Sequence, residues 1–191
     1  LRKSLAFIDT ETTGLDPVVH EVIEIAVIRV RPGGGVDRYH TRIKPEHLEV
    51  AEDVALEVNG YAANPSLWDD APLLKDIASD LAMFLAGCIL VGHNVSYDEA
   101  MLKGVFKRAG VPLSIPHRKI DTITLCYEHL YPMGLDSVGL DSVREYLGWS
   151  LEGGHTAMRD VEDAMRLYYL LNQASALTRF KIYLGAFRVR R

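Results

Sequence analysis

The stretch Val22-Ile23-Glu24-Ile25-Ala26-Val27-Ile28-Arg29-Val30-Arg31-Pro32-Gly33-Gly34-Gly35-Val36-Asp37-Arg38-Tyr39-His40-Thr41-Arg42-Ile43 decides the fold. Val22 to Val30 is dense in β-branched residues, which suit a pleated, buried strand. Val36 to Ile43 alternates and predicts the next strand. Pro32-Gly33-Gly34-Gly35 between them is a turn, so the two strands make an antiparallel hairpin. Upstream, Ser4 to Thr10 carries Leu5, Ala6, Phe7 and Ile8 in a row and predicts a further buried strand. Downstream, helices and strands take turns. Pro72 to Ala86 places Leu74, Ile77, Ala78, Leu81 and Leu85 at helical spacing and stops at Gly87. Cys88 to Gly92 predicts a short strand, and Ser96 to Ala109 a helix closed by Gly110. Arg118 to Asp121 predicts a last short strand, leading into a helix from Thr122 to about Leu130. Asp141 is placed as the cap of a short helix that ends at Leu147 and Gly148. Thr156 to Ala174 is the final long helix. A hairpin followed by alternating helices and strands predicts an α/β fold. Its mixed sheet joins an antiparallel hairpin to parallel strands, with helices on both faces. Ligand sites in such sheets lie beyond strand ends, where connections diverge.

The chain has 191 residues, 48% hydrophobic and 25% charged, which excludes a wholly disordered protein. One domain over residues 1–175 and a basic appendage over 176–191 is the expected organisation. The apolar run from Ala82 to Gly92 falls short of the roughly 17 residues a spanning helix needs. Asp9 interrupts the first apolar stretch, so no secretory signal is visible, and Leu1 fits a processed, tagged or trimmed start. Cys88 and Cys126 have no motif spacing. No membrane association and a cytoplasmic location are the expectations. The net charge of −5 argues against a module that coats duplex DNA. Basic residues are nevertheless gathered at Arg179, Lys181, Arg188, Arg190 and Arg191. The rest of the chain holds 16 basic and 26 acidic residues. A second basic group is Lys103, Lys107, Arg108, Arg118 and Lys119. Both groups suit either solvated faces or local phosphate contact.

Asp9 and Glu11 are two apart at the exit of the first strand, so they share one face, while Thr10 points the other way. Two carboxylates about 4 Å apart repel by on the order of 4 kcal/mol at an effective dielectric of about 20. A divalent cation relieves that repulsion, and hard oxygen ligands suit Mg²⁺ or Mn²⁺. Taken alone, Asp-x-Glu also suits an ordinary strand end. Gly92-His93-Asn94-Val95-Ser96-Tyr97-Asp98 adds a third carboxylate near a helix start, where it could equally serve as a cap. Asn94 and Tyr97 beside it can bond a sugar or stack on a base. Gly153-Gly154-His155-Thr156-Ala157-Met158-Arg159-Asp160 adds a histidine on a glycine-flanked loop and a fourth carboxylate in the first turns of the last helix.

In chain order, Phe7-Ile8-Asp9-Thr10-Glu11-Thr12-Thr13-Gly14-Leu15-Asp16-Pro17, His93-Asn94-Val95-Ser96-Tyr97-Asp98 and His155-x₄-Asp160 resemble the motifs of the DEDDh (DnaQ-like) 3′–5′ exonucleases, a family with the ribonuclease-H-like fold. The resemblance covers roughly residues 4–175. It implies that Asp9, Glu11, Asp98 and Asp160 hold two Mg²⁺ or Mn²⁺ ions and that His155 is the general base, with Glu11 also serving the chemistry. It implies that Thr12, Leu15, Asn94 and Tyr97 hold the 3′ end. It implies a single-stranded DNA or RNA 3′ end as substrate, nucleoside 5′-monophosphates as products, and a polymerase or other replication component as a partner. Asp121-Thr122 matches a strand-to-helix start of the family. Val58-Asn59-Gly60 aligns with a segment that often reads Val-His-Gly, and Asn59 departs from it. A 3′-end-trimming ribonuclease and a non-catalytic nucleic-acid- or polymerase-binding module are the competing readings.

Overall fold

The computed structural model describes residues 3–152 and 156–173. The appendage expected at 176–191 and the last residue of the expected final helix, Ala174, lie outside the described residues, as does His155. Five strands form one sheet. They are β1 (Leu5–Thr12), β2 (Val22–Val30), β3 (Val36–Arg42), β4 (Ile89–Gly92) and β5 (Lys119–Asp121), in the spatial order β3-β2-β1-β4-β5. β1 runs antiparallel to β2 and parallel to β4, and β4 runs parallel to β5. The mixed sheet expected from the hairpin is therefore present, with β1 at its centre.

β1 extends two residues beyond the expected Thr10, so Glu11 and Thr12 belong to the strand itself. The pairing register with β2 shifts between Glu11 and Thr12, where Ile23 of β2 is skipped between the Glu11–Glu24 and Thr12–Val22 pairs. β3 stops at Arg42 rather than Ile43, which is buried beyond the strand end.

The two faces of the sheet are sorted by the strand period of two. Ala6 and Ile8 pack with Leu81, Leu85, Met101, Leu102 and Phe106, which belong to α2 (Leu74–Leu85) and α3 (Val95–Ala109). Phe7 points to the other face, where it packs with Ala26, Ile28, Val91, Ala157 and Val161 beneath α6 (Ala157–Gln173). The odd-numbered residues of β1 thus face α6, and that parity carries Asp9 and Glu11 to the same side.

Two further helices pack with α6 in a separate apolar cluster that includes Cys126, Val143, Tyr146, Leu167 and Leu171. Asp121 caps α4 (Thr122–His129), its Oδ1 accepting the Ile123 amide at 2.9 Å, as the Asp-Thr pair led us to expect. α5 (Leu140–Leu147) begins one residue before Asp141, with Gly139 at its cap. Asp141 is therefore not the cap. Its carboxylate accepts from Arg144 instead, at 2.7 Å. A short helix, α1 (Asp53–Val58), was not expected. It buries none of its own residues, and six residues are too few for a helical period to stand out in sequence.

Candidate active site

Asp9, Glu11 and Asp160 converge. Each offers a carboxylate oxygen, and the three oxygens lie within 4.8 Å of one another. β1 supplies the first two from its α6-facing side, and the first turn of α6 supplies the third. Asp98 comes from the opposite side. It sits on the buried stripe of α3 formed by Val95, Asp98, Glu99, Met101, Leu102, Val105 and Phe106. Thr10, the even-numbered residue between the two β1 acids, donates its hydroxyl to Asp98 Oδ1 at 2.8 Å. Asp98 is 3% exposed, so its place is in the interior beside the cluster rather than at a solvated helix cap.

The electrostatics record the crowding. Burial first, then the charges of Asp98, Asp160, Glu11 and Glu24, push the Asp9 carboxyl well above the usual range. Burial and the neighbouring Asp160, Glu24 and Asp98 push Glu11 up to about 8. Burial raises Asp98 to about 7, against the opposing pull of the Thr10 hydrogen bond. Holding carboxylates together out of water is costly while they are ionised, unless a cation joins them. The donor set is all hard oxygen, which fits Mg²⁺ or Mn²⁺.

Beside the acids, Thr10, Glu11, Thr12, Leu15, Glu52, Val54, Ala55, Val58 and Tyr97 line a cleft of about 290 Å³. The Thr12 and Tyr97 hydroxyls lie 2.7 Å apart, and each is 3.0 Å from the Gly14 carbonyl oxygen. Leu15 stands at the mouth, 73% exposed. The loop behind it is tightly folded. His20 Nδ1 accepts the Asp16 amide at 2.9 Å, and its ring fills the space a Cβ on Gly14 would need. Asn59 supports the cleft from below: its Nδ2 donates to the Thr12 carbonyl at 2.9 Å and its Oδ1 accepts the Tyr61 amide. The departure from histidine at this position is thus filled by a residue that ties the end of α1 to β1.

Asn94 is brought to a different place. It is exposed, in the left-handed region at φ 72, where it opens α3, and its amide donates to Asp121 Oδ1 at 3.1 Å. It is not among the residues lining the cleft. His155, expected as the general base, lies outside the described residues. His93 joins Thr122 Oγ1 and the Val138 carbonyl, a bridge between β4, α4 and the segment before α5.

Three charged residues near the acids were missed from the sequence. Glu24 lies directly across from Glu11 in the β1–β2 pair, 3% exposed, with Oε1 2.8 Å from His40 Nε2. A lone acid among Val22, Ile23, Ile25 and Ala26 is a readable signal for it. Arg144 is fully buried and donates to Asp160 at 2.6 Å, to Asp163 at 2.9 Å and to Asp141 at 2.7 Å. Its signal is a cation on the Leu140, Val143, Arg144, Leu147 stripe, where spacing calls for an apolar side chain. Asp163, 3% exposed, follows one turn after Asp160.

Among the described residues, no helix is long and apolar enough to cross a membrane. Comparison with known proteins bears on the family and the fold. A family model described as Exonuclease (RNase_T) matches residues 6–168. The chain is 33% identical over 162 residues to the PolC-type DNA polymerase III of Thermotoga maritima, covering 84% of this chain and 11% of that protein. It is 26% identical over 164 residues to the 3′-5′ exonuclease DinG of Staphylococcus epidermidis, covering 86% of this chain and 17% of that protein. The chain thus spans only a small part of these relatives' length. In solved structures, the zinc-bound exonuclease I–ssDNA complex of E. coli superposes with a TM-score of 0.75 at 19% identity, covering 96% of this chain and 43% of that one. The E. coli exonuclease I complex with a dT13 oligonucleotide gives 0.72 at 21% identity, covering 96% and 44%. These neighbours share the ribonuclease-H-like sheet. Since the family match runs from the first residues of β1 into α6 and so takes in all four acids, the chain belongs to the DnaQ-like exonuclease family.

Proposed function

We propose that this chain hydrolyses the terminal phosphodiester at the 3′ end of single-stranded DNA and releases nucleoside 5′-monophosphates. The observation that carries the reading is the meeting of the Asp9, Glu11 and Asp160 oxygens within 4.8 Å, with Asp98 buried beside them, next to a cleft. Asp9, Glu11, Asp98 and Asp160 are the residues that would hold two Mg²⁺ or Mn²⁺ ions. When bound, such ions supply Lewis acidity at the phosphoryl oxygens and lower the pKa of water. The chain's own residues do the rest. Thr12 and Tyr97 offer hydroxyls to the terminal sugar, and Leu15, Val54 and Val58 offer apolar surface to the last base. His155, as a neutral imidazole, takes the proton of the attacking water. Glu11 both lines the cleft and belongs to the acid cluster, so it would face the terminal nucleotide and the ions alike.

The single-stranded substrate is supported by the E. coli exonuclease I structures, whose bound partners are ssDNA oligonucleotides. The PolC-type match supports a replication setting. The test is a time course on 5′-labelled single-stranded DNA and matched RNA with Mg²⁺ or Mn²⁺, alongside an EDTA control and Asp160→Asn. A metal-dependent ladder that shortens from the 3′ end of DNA, absent in the variant, is the expected result. A ladder on RNA alone would make the enzyme a 3′-end-trimming ribonuclease. No ladder on either, with the protein folded, would overturn the enzyme reading in favour of a binding module.

A further inference from the structure

We infer that Arg144 is a positioning residue that fixes the orientation of the Asp160 carboxylate toward the metal ions. The inference rests on the assignment of Asp160 as a metal ligand. Arg144 projects from α5, and its side chain is 1% exposed. Its Nε and Nη2 lie along one edge of the guanidinium plane. Nε donates to Asp163 Oδ2 at 2.9 Å and Nη2 to Asp160 Oδ1 at 2.6 Å. The remaining nitrogen, Nη1, donates to Asp141 Oδ1 at 2.7 Å. One rigid plane is therefore pinned at three corners, and Asp160 is bonded to it.

The anchor is itself anchored. Asp163 Oδ2 also accepts from Arg159 Nε at 2.9 Å, one helical turn away on α6. Asp160 and Asp163 stand three residues apart on α6, so they face the same way. A fork that grips both fixes the rotation of the Asp160 carboxylate relative to the helix. A lysine cannot do this, because its single ammonium is a point charge on a flexible stem. Two effects of Arg144 on a bound cation oppose each other. Its positive charge repels the ion, while its fork orients the ligand. Residues that orient metal ligands from behind typically contribute about 10–100-fold in metal affinity. We hold that orientation dominates here, since the carboxylates next to Asp160 already supply an excess of negative charge.

The test is calorimetric Mn²⁺ titration of the parent protein, Arg144→Lys and Asp163→Asn, with folding checked by circular dichroism. Arg144→Lys keeps the charge and loses the fork. Asp163→Asn keeps the volume and weakens the anchor. Each is expected to bind Mn²⁺ about 10-fold or more weakly, with activity restored at high Mn²⁺. Mn²⁺ affinity equal to or tighter than the parent's, with only the melting temperature lowered, would overturn the inference and leave Arg144 as a fold element. Absence of Mn²⁺ binding by the parent would instead remove the metal-site reading, and this inference with it. Should neither variant fold, the parent decides. The Arg144 guanidinium NMR signals are expected to shift and stay protected from exchange across a Mg²⁺ titration. Signals that do not move, or that lose protection as the ion pair opens, would overturn it.

Discussion

Thr10 Oγ1 donates to Asp98 Oδ1 at 2.8 Å, and this bond joins the centre of the sheet to α3. It lowers the pKa of a carboxyl that burial drives up to about 7. Removing it with Thr10→Val keeps the branched shape and deletes the donor. The Asp98 pKa then rises, because a hydrogen bond to the charged form is lost. At pH 7 more of the protein is protonated there, and metal affinity falls in proportion to the ionised carboxylate that remains. The expected outcome is a higher Mn²⁺ requirement at pH 7 that largely disappears at pH 9. A variant with the parent's metal dependence at both pH values would show that Asp98 plays no part in binding.

On the proposed function, Asp160→Asn would remove one charged metal ligand while keeping the shape of the side chain and an oxygen for Arg144. A metal ligand whose loss costs several kcal/mol reduces the rate by about 10²–10³-fold. The expected loss lies in kcat, with the fold retained by circular dichroism. A rate within about threefold of the parent's would remove Asp160 from the metal site.

Metal removal and pH act together on stability. Glu11 and Asp98 have folded-state pKa values raised to about 8 and about 7, above their ordinary carboxyl range. The folded protein therefore binds more protons than the unfolded chain between the ordinary carboxyl range and pH 8, so these groups make the metal-free protein less stable as pH rises through that window. A cation reverses this penalty where the acids are ionised. The Tm gained on adding Mg²⁺ or Mn²⁺ is thus larger at pH 8 than at pH 5, by about 2–4 °C for each kcal/mol of difference. Differential scanning calorimetry with and without EDTA measures it. An equal gain at both pH values would mean that the acids do not bind the ion.

Much of this was legible before any coordinates. The period of two along β1 was enough to place Asp9 and Glu11 on one face and Thr10 on the other, since every side chain of a buried strand has a fixed side. The hairpin turn and the helix stops at Gly110 and Gly148 were readable because such punctuation is local. What was hidden was long-range. Asp98 read equally well as a helix cap, and only the packing of α3 on β1 shows that it is interior. Arg144 stands 16 residues before Asp160, and no short-range pattern links a cation on one helix to an acid on the next. Asp141 was misassigned as a cap for the same reason, since its partner Arg144 is visible only once the helix is formed. α1 was missed because its Val54 and Val58 face outward, toward the cleft, rather than into a core.

The mouth of the cleft depends on a close approach that a single methyl tests. Gly104 lies in the middle of α3, where glycine is otherwise unfavourable by roughly 1 kcal/mol relative to alanine. A Cβ there would stand 2.3 Å from the Pro17 carbonyl oxygen, far inside contact distance. The loop from Gly14 to His20, which carries Leu15, is thus seated directly on the α3 backbone. Arg108, one turn on, donates to the carbonyls of Pro17 and His20 and holds the same loop. Gly104→Ala gains helix propensity and loses this seat, and backbone displacement in a packed site costs about 1–3 kcal/mol. The net expectation is destabilisation of about 0–2 kcal/mol, together with a KM for single-stranded DNA raised severalfold, because Leu15 leaves its place at the cleft. The kcat at saturating substrate should change less, since Asp9, Glu11 and Asp160 are held by other elements. Steady-state kinetics separate the two. A variant that is more stable than the parent, with KM unchanged, would show that the loop gives way without cost and that Leu15 does not hold the 3′ end.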